Sequence, residues 1–468
     1  MLTESKCEKI IEEAVALAEK MNSRKRPIAL EATVTSEKRS TSRFAENLMT
    51  QNQTSQIDQV SLRLLANGEQ VRVSGEKLDR RGLEELIERA LVSTSLMKNE
   101  EETAAATLPK APNKSEGKKL PRFQRFDEKA SAVTADDRAA MVLSAIEVAA
   151  RKGASLAGIV STNDLVIATG NSRRLFQFAR QTELECSVTA MCDDSTGWAK
   201  AFSTRLDIDM AALADRAVEK AISGRNPKDI APGKYPVILE ASAVLDLLAF
   251  LWWDFSATSH LDELSALRGK LGQKLFSEKF SACDDYAHSE QYGAPFDGIG
   301  LPRQKVALVE NGVFKGIVTS RTSAAKLSEK TGLDFAVTNH ALPEPNTMGE
   351  MPQNIVVAGG DGELDDLLQD SSELGKEAIL LTRVWYVREV DPSTKLLTGM
   401  TRDGTFIVRN GVIAEPVKNL RFNVSLFDLL NSIVSLGRSR LTAGEEGTPA
   451  VVPPMLVQSF NFTEMTRF

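Results

Sequence analysis

Histidine is scarce in this chain. Its 468 residues hold three, His260, His288 and His340, and no two stand at the spacing that places paired imidazoles on one helical face. Four cysteines, Cys7, Cys186, Cys192 and Cys283, are too few and too scattered for a disulfide framework, and no CxxC pair occurs. No G-x-S-x-G elbow offers a nucleophilic serine. Gly359-Gly360-Asp361-Gly362 follows strand-like Ile355–Ala358, but it lacks the Lys-Ser/Thr of a P-loop and the third glycine of a dinucleotide fingerprint, so it reads as a tight turn. Long apolar runs are also missing: the most apolar stretch, Ala241–Phe255, contains Asp246 and is too short to cross a bilayer, which excludes a membrane role. Met1–Met21 is an acidic-leaning amphipathic helix and not a signal peptide. Together these absences point to a reduced, cytoplasmic compartment. Positive charge is not in excess either. The net charge is −7, and Arg24-Lys25-Arg26 and Lys118-Lys119 are short clusters, so no nucleic-acid partner is expected.

What is present is an α+β pattern. Ile10, Ile11, Ala14, Leu17, Ala18 and Met21 fall at helical spacing, after which Ile28, Leu30, Ala32 and Val34 alternate as a strand does. Val60, Leu62 and Leu64 alternate again, Asn67-Gly68 turns the chain, and Asp79 caps a helix with a stripe through Leu83, Leu86, Ile87, Ala90 and Leu91. This makes an N-terminal unit over 1–97. Polar, proline-bearing Lys98–Arg122 reads as a linker. A middle unit over 123–228 repeats the plan: Thr134 with Asp137 starts a helix that Gly153 closes, strands Leu156–Val160 and Leu165–Ala168 flank a turn at Asn163-Asp164, and a last helix runs from about Asp209 to Ser223. Residues 234–468 read as one β-rich, mostly antiparallel domain, with an apolar helix at Ala241–Phe255 and a late helix at Leu426–Leu436. Its turns are drawn at Asn311-Gly312, Asp403-Gly404 and Asn410-Gly411, dipeptides that accept positive φ.

Chemistry-bearing residues gather in one place. Cys283, Asp284, Asp285, His288 and Glu290 lie within eight residues, and Cys283, Asp284, His288 and Glu290 are ligand types for a metal. The plainer reading is a polar loop that positions the next hairpin. Trp252 and Trp253 fit either a core or a docking surface; adjacent positions on a helix point about 100° apart, so both are not expected in one core.

Residues 384–423 read VWYVREVDPSTKLLTGMTRDGTFIVRNGVIAEPVKNLRFN. This wording resembles the C-terminal domain of the TldD/PmbA (TldD/TldE) family, in particular its PmbA (TldE) branch. Weaker matches extend it: Arg43-Phe44-Ala45 with Asn47 and Gln51, Asn171-Ser172, Asp284 with Phe296-Asp297-Gly298 and Pro302, and Val309-Glu310-Asn311-Gly312. The resemblance implies tandem α+β units, a β-rich C-terminal domain and a dimer. In the family's catalytic branch a helical His-Glu-x-x-x-His motif binds zinc. The matching helix here is Ala241–Phe255, which has no histidine. The resemblance therefore implies a non-catalytic subunit with no catalytic residue and no cofactor of its own, paired with a TldD-type zinc peptidase chain that cleaves small or unfolded peptides. Two alternatives stand beside it: a homodimeric peptide-binding or regulatory protein, and an active hydrolase with a metal at Cys283–Glu290.

Overall fold

The computed structural model describes residues 1–22, 27–66, 68–96, 108–110 and 125–466. The linker expected at 98–122 lies outside the described residues apart from 108–110, as do Asn67 and both short basic clusters.

The N-terminal half uses one plan twice: helix, three strands, helix. The first pass is α1 (Glu4–Lys20), β1 (Ile28–Ala45), β2 (Leu48–Ala66), β3 (Glu69–Gly75) and α2 (Arg80–Leu96). After a single turn, α3 (Glu128–Ser131), the second is α4 (Ala135–Arg151), β4 (Ser155–Asn171), β5 (Phe176–Cys192), β6 (Ser195–Ser203) and α5 (Met210–Ser223). The strands form one sheet in the order β3-β2-β1-β4-β5-β6. The two passes thus meet along antiparallel β1 and β4, from Glu31 opposite Asn171 to Phe44 opposite Gly158. Each helix pair covers its own half of the sheet. Ile11, Leu17, Leu83 and Ile87 pack on Val34, Leu62 and Leu64, and Val142, Val148, Leu213 and Val218 pack on Leu156, Cys186 and Val188. Thr134 and Asp137 form the reciprocal capping box that the sequence predicts for α4. The turn predicted at Asn163-Asp164 is absent, because β4 runs straight through it. Asp164 is buried there, its carboxylate 2.6 Å from Arg180 and accepting from Ser131. A dipeptide that reads as a turn is an ion-paired position inside a long strand.

The C-terminal part runs β7 (Gly233–Leu239), α6 (Ala241–Leu248), α7 (Ala257–Leu261), β8 (Ala282–Asp284), β9 (Val306–Glu310), β10 (Val313–Phe314), α8 (Arg321–Thr331) and β11 (Ile355–Val357). It continues through α9 (Leu364–Ser372), β12 (Ala378–Asp391), β13 (Leu396–Arg409), β14 (Val412–Pro416), β15 (Leu420–Ser425) and α10 (Leu426–Asn431). The last strands are β16 (Ile433–Leu436), β17 (Arg440–Thr442), β18 (Ala450–Val452) and β19 (Met455–Met465). Strand β12 pairs with both β7 and β13, so the path β12-β7-β19-β15-β13 closes on itself as a barrel. A second sheet has the order β10-β9-β8-β11-β18-β17. Pairings are antiparallel except β7 with β12 and β11 with β18. Phe276, Phe280, Phe314, Phe422, Phe460 and Phe462 lie in the core they share. Among the described residues no helix is long and apolar enough to cross a membrane.

The C-terminal part departs from three local expectations. The segment Ala241–Phe255 is not one helix: α6 ends at Leu248 and Trp252–Phe255 forms a 3-10 turn. Asp254 is drawn aside to Lys395 and to the Ala266 N–H. The late helix stops at Asn431, and β-branched Ile433 and Val434 enter β16 instead. Asn410-Gly411 turns the chain between β13 and β14, but Asp403-Gly404 lies within β13. Its positive φ values, 54° and 131°, kink that strand and do not end it.

Candidate functional site

Strand β7 delivers the chain into α6, the helix that the family resemblance aligns with a zinc site. Ala243, Val244, Leu245, Leu247 and Leu248 are buried there, and so is Asp246. Its Oδ1 accepts from the N–H groups of Glu446 (2.8 Å) and Gly447 (3.0 Å), and its Oδ2 from that of Glu445 (3.0 Å). Burial pushes the Asp246 carboxyl above the usual aspartate range, against the pull of these three donors. The loop seats closely: a Cβ on Gly444 would lie 2.1 Å from Asp246 Oδ1. Zinc needs three or four convergent ligands. The one carboxylate of α6 is engaged by backbone, and among the described residues no three His, Cys, Asp or Glu side chains converge on a metal position. These residues do not fit a zinc centre.

Among the described residues, the Cys283–Glu290 side chains do not converge on one metal position. Asp284, at the end of β8, is fully buried, with Oδ2 accepting from the Gln353 and Asn354 N–H groups and Oδ1 3.1 Å from His340 Nε2. Burial pushes the Asp284 carboxyl up, but His340, the Arg303 charge and the Asn354 N–H together outweigh it and hold its pKa below the ordinary range. Burial pushes the Cys283 thiol up to about 11, well away from a reactive thiolate. Glu290 accepts from the Leu441 N–H, and His288 Nδ1 accepts from the Glu290 N–H. Phe296-Asp297-Gly298 belongs to the same scaffold, since Asp297 accepts backbone N–H groups of Ile299, Leu301 and Ala341. The Gly359–Gly362 run is packed backbone on backbone. The Gly360 N–H donates to Gly437 O, and a Cβ on Gly359 would meet that oxygen at 2.3 Å.

The two tryptophans part company. Trp252 is 7% exposed and joins the core, while Trp253 is 38% exposed. Trp253, Phe250, Leu264 and Pro392 rim a cavity of about 630 Å³. At its base Lys395 Nζ lies 2.5 Å from Asp254 and 2.8 Å from Glu389. Burial works against this ammonium, and Asp254 with Glu389 outweighs it, holding its pKa above the ordinary lysine range.

A larger cavity, about 1420 Å³, opens between the β5–β6 end of the N-terminal sheet and β13 of the C-terminal domain. Thr401, Arg402, Asp403 and Gly404 line it, as do Pro416, Val417, Lys418 and Asn419. These are the TRDG and PVKN words of the sequence. Asp403 ties the two halves together: Oδ1 accepts from Thr196 Oγ1 of β6 (2.5 Å) and Oδ2 lies 2.5 Å from Arg383 of β12. Arg383 also stacks over Trp198 and lies 3.3 Å from Glu445, next to the loop on Asp246. Reading by periodicity missed Asp246, Arg383 and Arg402. Only the specificity of the TRDG wording marked this place, and it suggested a turn.

Known proteins give this geometry a context. Residues 232–464 match the family model described as PmbA/TldA metallopeptidase C-terminal domain. The chain is 25% identical over 224 residues to a metalloprotease TldD homolog from Buchnera aphidicola, covering 47% of this chain and 44% of that protein. It is 23% identical over 276 residues to a metalloprotease PmbA homolog from Haemophilus influenzae, covering 57% of this chain and 56% of that one. The chain therefore spans about half the length of these curated relatives. Its fold is shared with the crystal structure of TldE from Thermococcus kodakarensis, at a TM-score of 0.83 and 17% identity over 97% of this chain and 100% of that one. The chain belongs to the PmbA/TldD family of metallopeptidase-like proteins.

Proposed function

We propose that this chain is a non-catalytic, PmbA/TldE-type subunit of a cytoplasmic peptidase complex, in which a TldD-type chain carries zinc and cleaves small or unfolded peptides. The observation that carries the proposal is at α6. Where the family resemblance places a metal-binding pair of histidines, this helix has none, and its carboxylate Asp246 is held by the 445–447 N–H groups. Zinc-bound water supplies a nucleophile near neutral pH, and these residues offer no such group. What the chain retains is a large cavity lined by family-specific residues, suited to holding an extended substrate. Half-exposed Trp253, beside an apolar-rimmed hollow, is the candidate contact with the partner chain.

The test is co-purification with a TldD-type chain, followed by a peptide-cleavage assay on each chain alone and on both together. The expected result is a stable complex, cleavage only when both are present, and weaker association for Trp253→Ala. Chelator-resistant cleavage by this chain alone would overturn the reading. Failure to associate, with self-association instead, would favour a homodimeric peptide-binding protein.

A further inference from the structure

We propose that the Arg402–Trp385 corner of the 1420 Å³ cavity is a subsite for the carboxylate of an extended peptide. The inference rests on the substrate-holding reading above and names the chemistry that would be held.

Charge balance points to Arg402. Most charges lining the cavity are answered from within the chain. Asp403 is held by Arg383 and Thr196, Lys418 Nζ lies 2.8 Å from Asp229, Asp193 lies 3.3 Å from Arg225, and Asp194 accepts from the Asn226 N–H. For Arg402 the nearest carboxylate oxygen is Asp403 Oδ2 at 3.6 Å, and Arg383 already approaches that oxygen at 2.5 Å. Among the described lining residues, Arg402 is the cation least neutralised inside the chain. Its guanidinium fork matches the two oxygens of a carboxylate.

Arg402 is also held in place. Its guanidinium carbon lies 3.9 Å from the centroid of Trp385, which packs edge-on against Tyr386 at 5.4 Å. Stacking fixes the face of the guanidinium and leaves its edge for an anion. Tyr386 sits at φ 57°, a conformation costly for an aromatic residue and one that concentrates at functional sites. The cavity opens beside a gap along one edge of β13, the edge away from β12. Strand β15 leaves β13 at Met400, and β14 joins it at Phe406. Met191, Met400, Pro416 and Val417 add apolar wall, and Asp193 and Asp194 make the opposite rim acidic. A lone inorganic anion would fill little of this space. An extended peptide fits, with its carboxylate at Arg402.

The carboxylate could come from a C-terminus or from an acidic side chain, and calorimetry on the whole chain separates them. The probes are a short acetylated peptide with uncharged side chains and a free C-terminal carboxylate, its C-terminal amide, and that amide carrying one internal aspartate. The free acid should bind about tenfold or more tightly than the amide, as expected for a charge-assisted contact. Recovery of affinity by the aspartate peptide would extend the subsite to side chains, and no recovery would restrict it to C-termini. Arg402→Met should bring the free acid to the affinity of the amide. Equal affinity of all three peptides, or undiminished free-acid binding by Arg402→Met, would overturn the proposal. Association with a TldD-type chain is measured in parallel. Loss of carboxylate dependence with the complex intact removes the subsite alone, and loss of the complex with carboxylate-dependent binding intact removes the subunit reading alone.

Discussion

Asp246 on α6 and Asp403 on β13 are both buried carboxylates, yet their partners differ in kind. Asp246 is met by three backbone N–H groups of one loop, which engage both of its carboxylate oxygens. Asp403 is met by a guanidinium and a hydroxyl from two other strands, at a kinked backbone position, with a second guanidinium alongside. Backbone donors close a site, because their number is fixed and each has found its acceptor. Charged side chains hold one open: Arg383 satisfies Asp403 from behind, and Arg402 is left facing the cavity. The helix the family resemblance aligns with a metal site is therefore the closed region of this chain, and the strand wording that reads as a turn is the open one.

If Asp246 is a closing element, removing it should be the most damaging single change considered. Asp246→Ala orphans three N–H groups and is expected to lower stability by about 3 kcal/mol, roughly 1 kcal/mol per lost bond. Denaturant unfolding measures this. A loss under about 0.5 kcal/mol, within the range of ordinary surface substitutions, would mean the loop is held by other contacts and would break the contrast with Asp403.

That contrast marks where sequence reading succeeds. Local rules find α1, α2, α4 and α5, because their apolar stripes and the Thr134–Asp137 box act over a few residues. Residue patterns also separate the α+β N-terminal half from the β-rich remainder. They fail where a distant partner decides. Asn163-Asp164 has turn composition, but Arg180 and Ser131 draw Asp164 into a strand. Asp403-Gly404 has hairpin composition, but Arg383 and Thr196, 20 and 207 residues away along the chain, hold it within β13. The barrel is hidden for the same reason, since its closure depends on β7 and β19 meeting across most of the C-terminal domain. Asp246 leaves no local signal: its partners lie about 200 residues downstream.

A third buried carboxylate sharpens the comparison through pH. Asp297 copies the Asp246 arrangement, and burial pushes its pKa up to about 6 against its backbone donors. An unfolded aspartate titrates near 3.9, so between these values the folded state binds the extra proton. The stabilisation is complete below about pH 4 and is lost as pH rises through about 6. For this one group the loss between pH 4.5 and 6.5 is about 2 kcal/mol. Asp297→Asn, which cannot ionise, should lack this component even though it costs stability throughout. Unfolding free energies at the two pH values, wild type against variant, give the difference directly. Equal slopes would mean that Asp297 is ionised in the fold at both pH values, and that its donors outweigh burial.

The smallest effect on stability is the one that completes the contrast. Arg402 is 38% exposed at its side chain, and its ion contact with Asp403 is long. Exposed stacking on tryptophan contributes about 0.5–1 kcal/mol, and part of that survives in Arg402→Met because the methionine stem still lies on Trp385. The other contribution, a half-exposed pair at 3.6 Å, is worth little once solvent screening is allowed for. Arg402→Met should therefore lower stability by under about 1 kcal/mol, several-fold less than Asp246→Ala, while removing carboxylate-dependent peptide binding. The same denaturant and calorimetric measurements on both variants decide it. If Arg402→Met unfolds as readily as Asp246→Ala, then Arg402 is another internal partner of Asp403, and the cavity is as closed as the helix. If it keeps its stability and loses its preference for the free-acid peptide, the residual charge on β13 is there for a ligand.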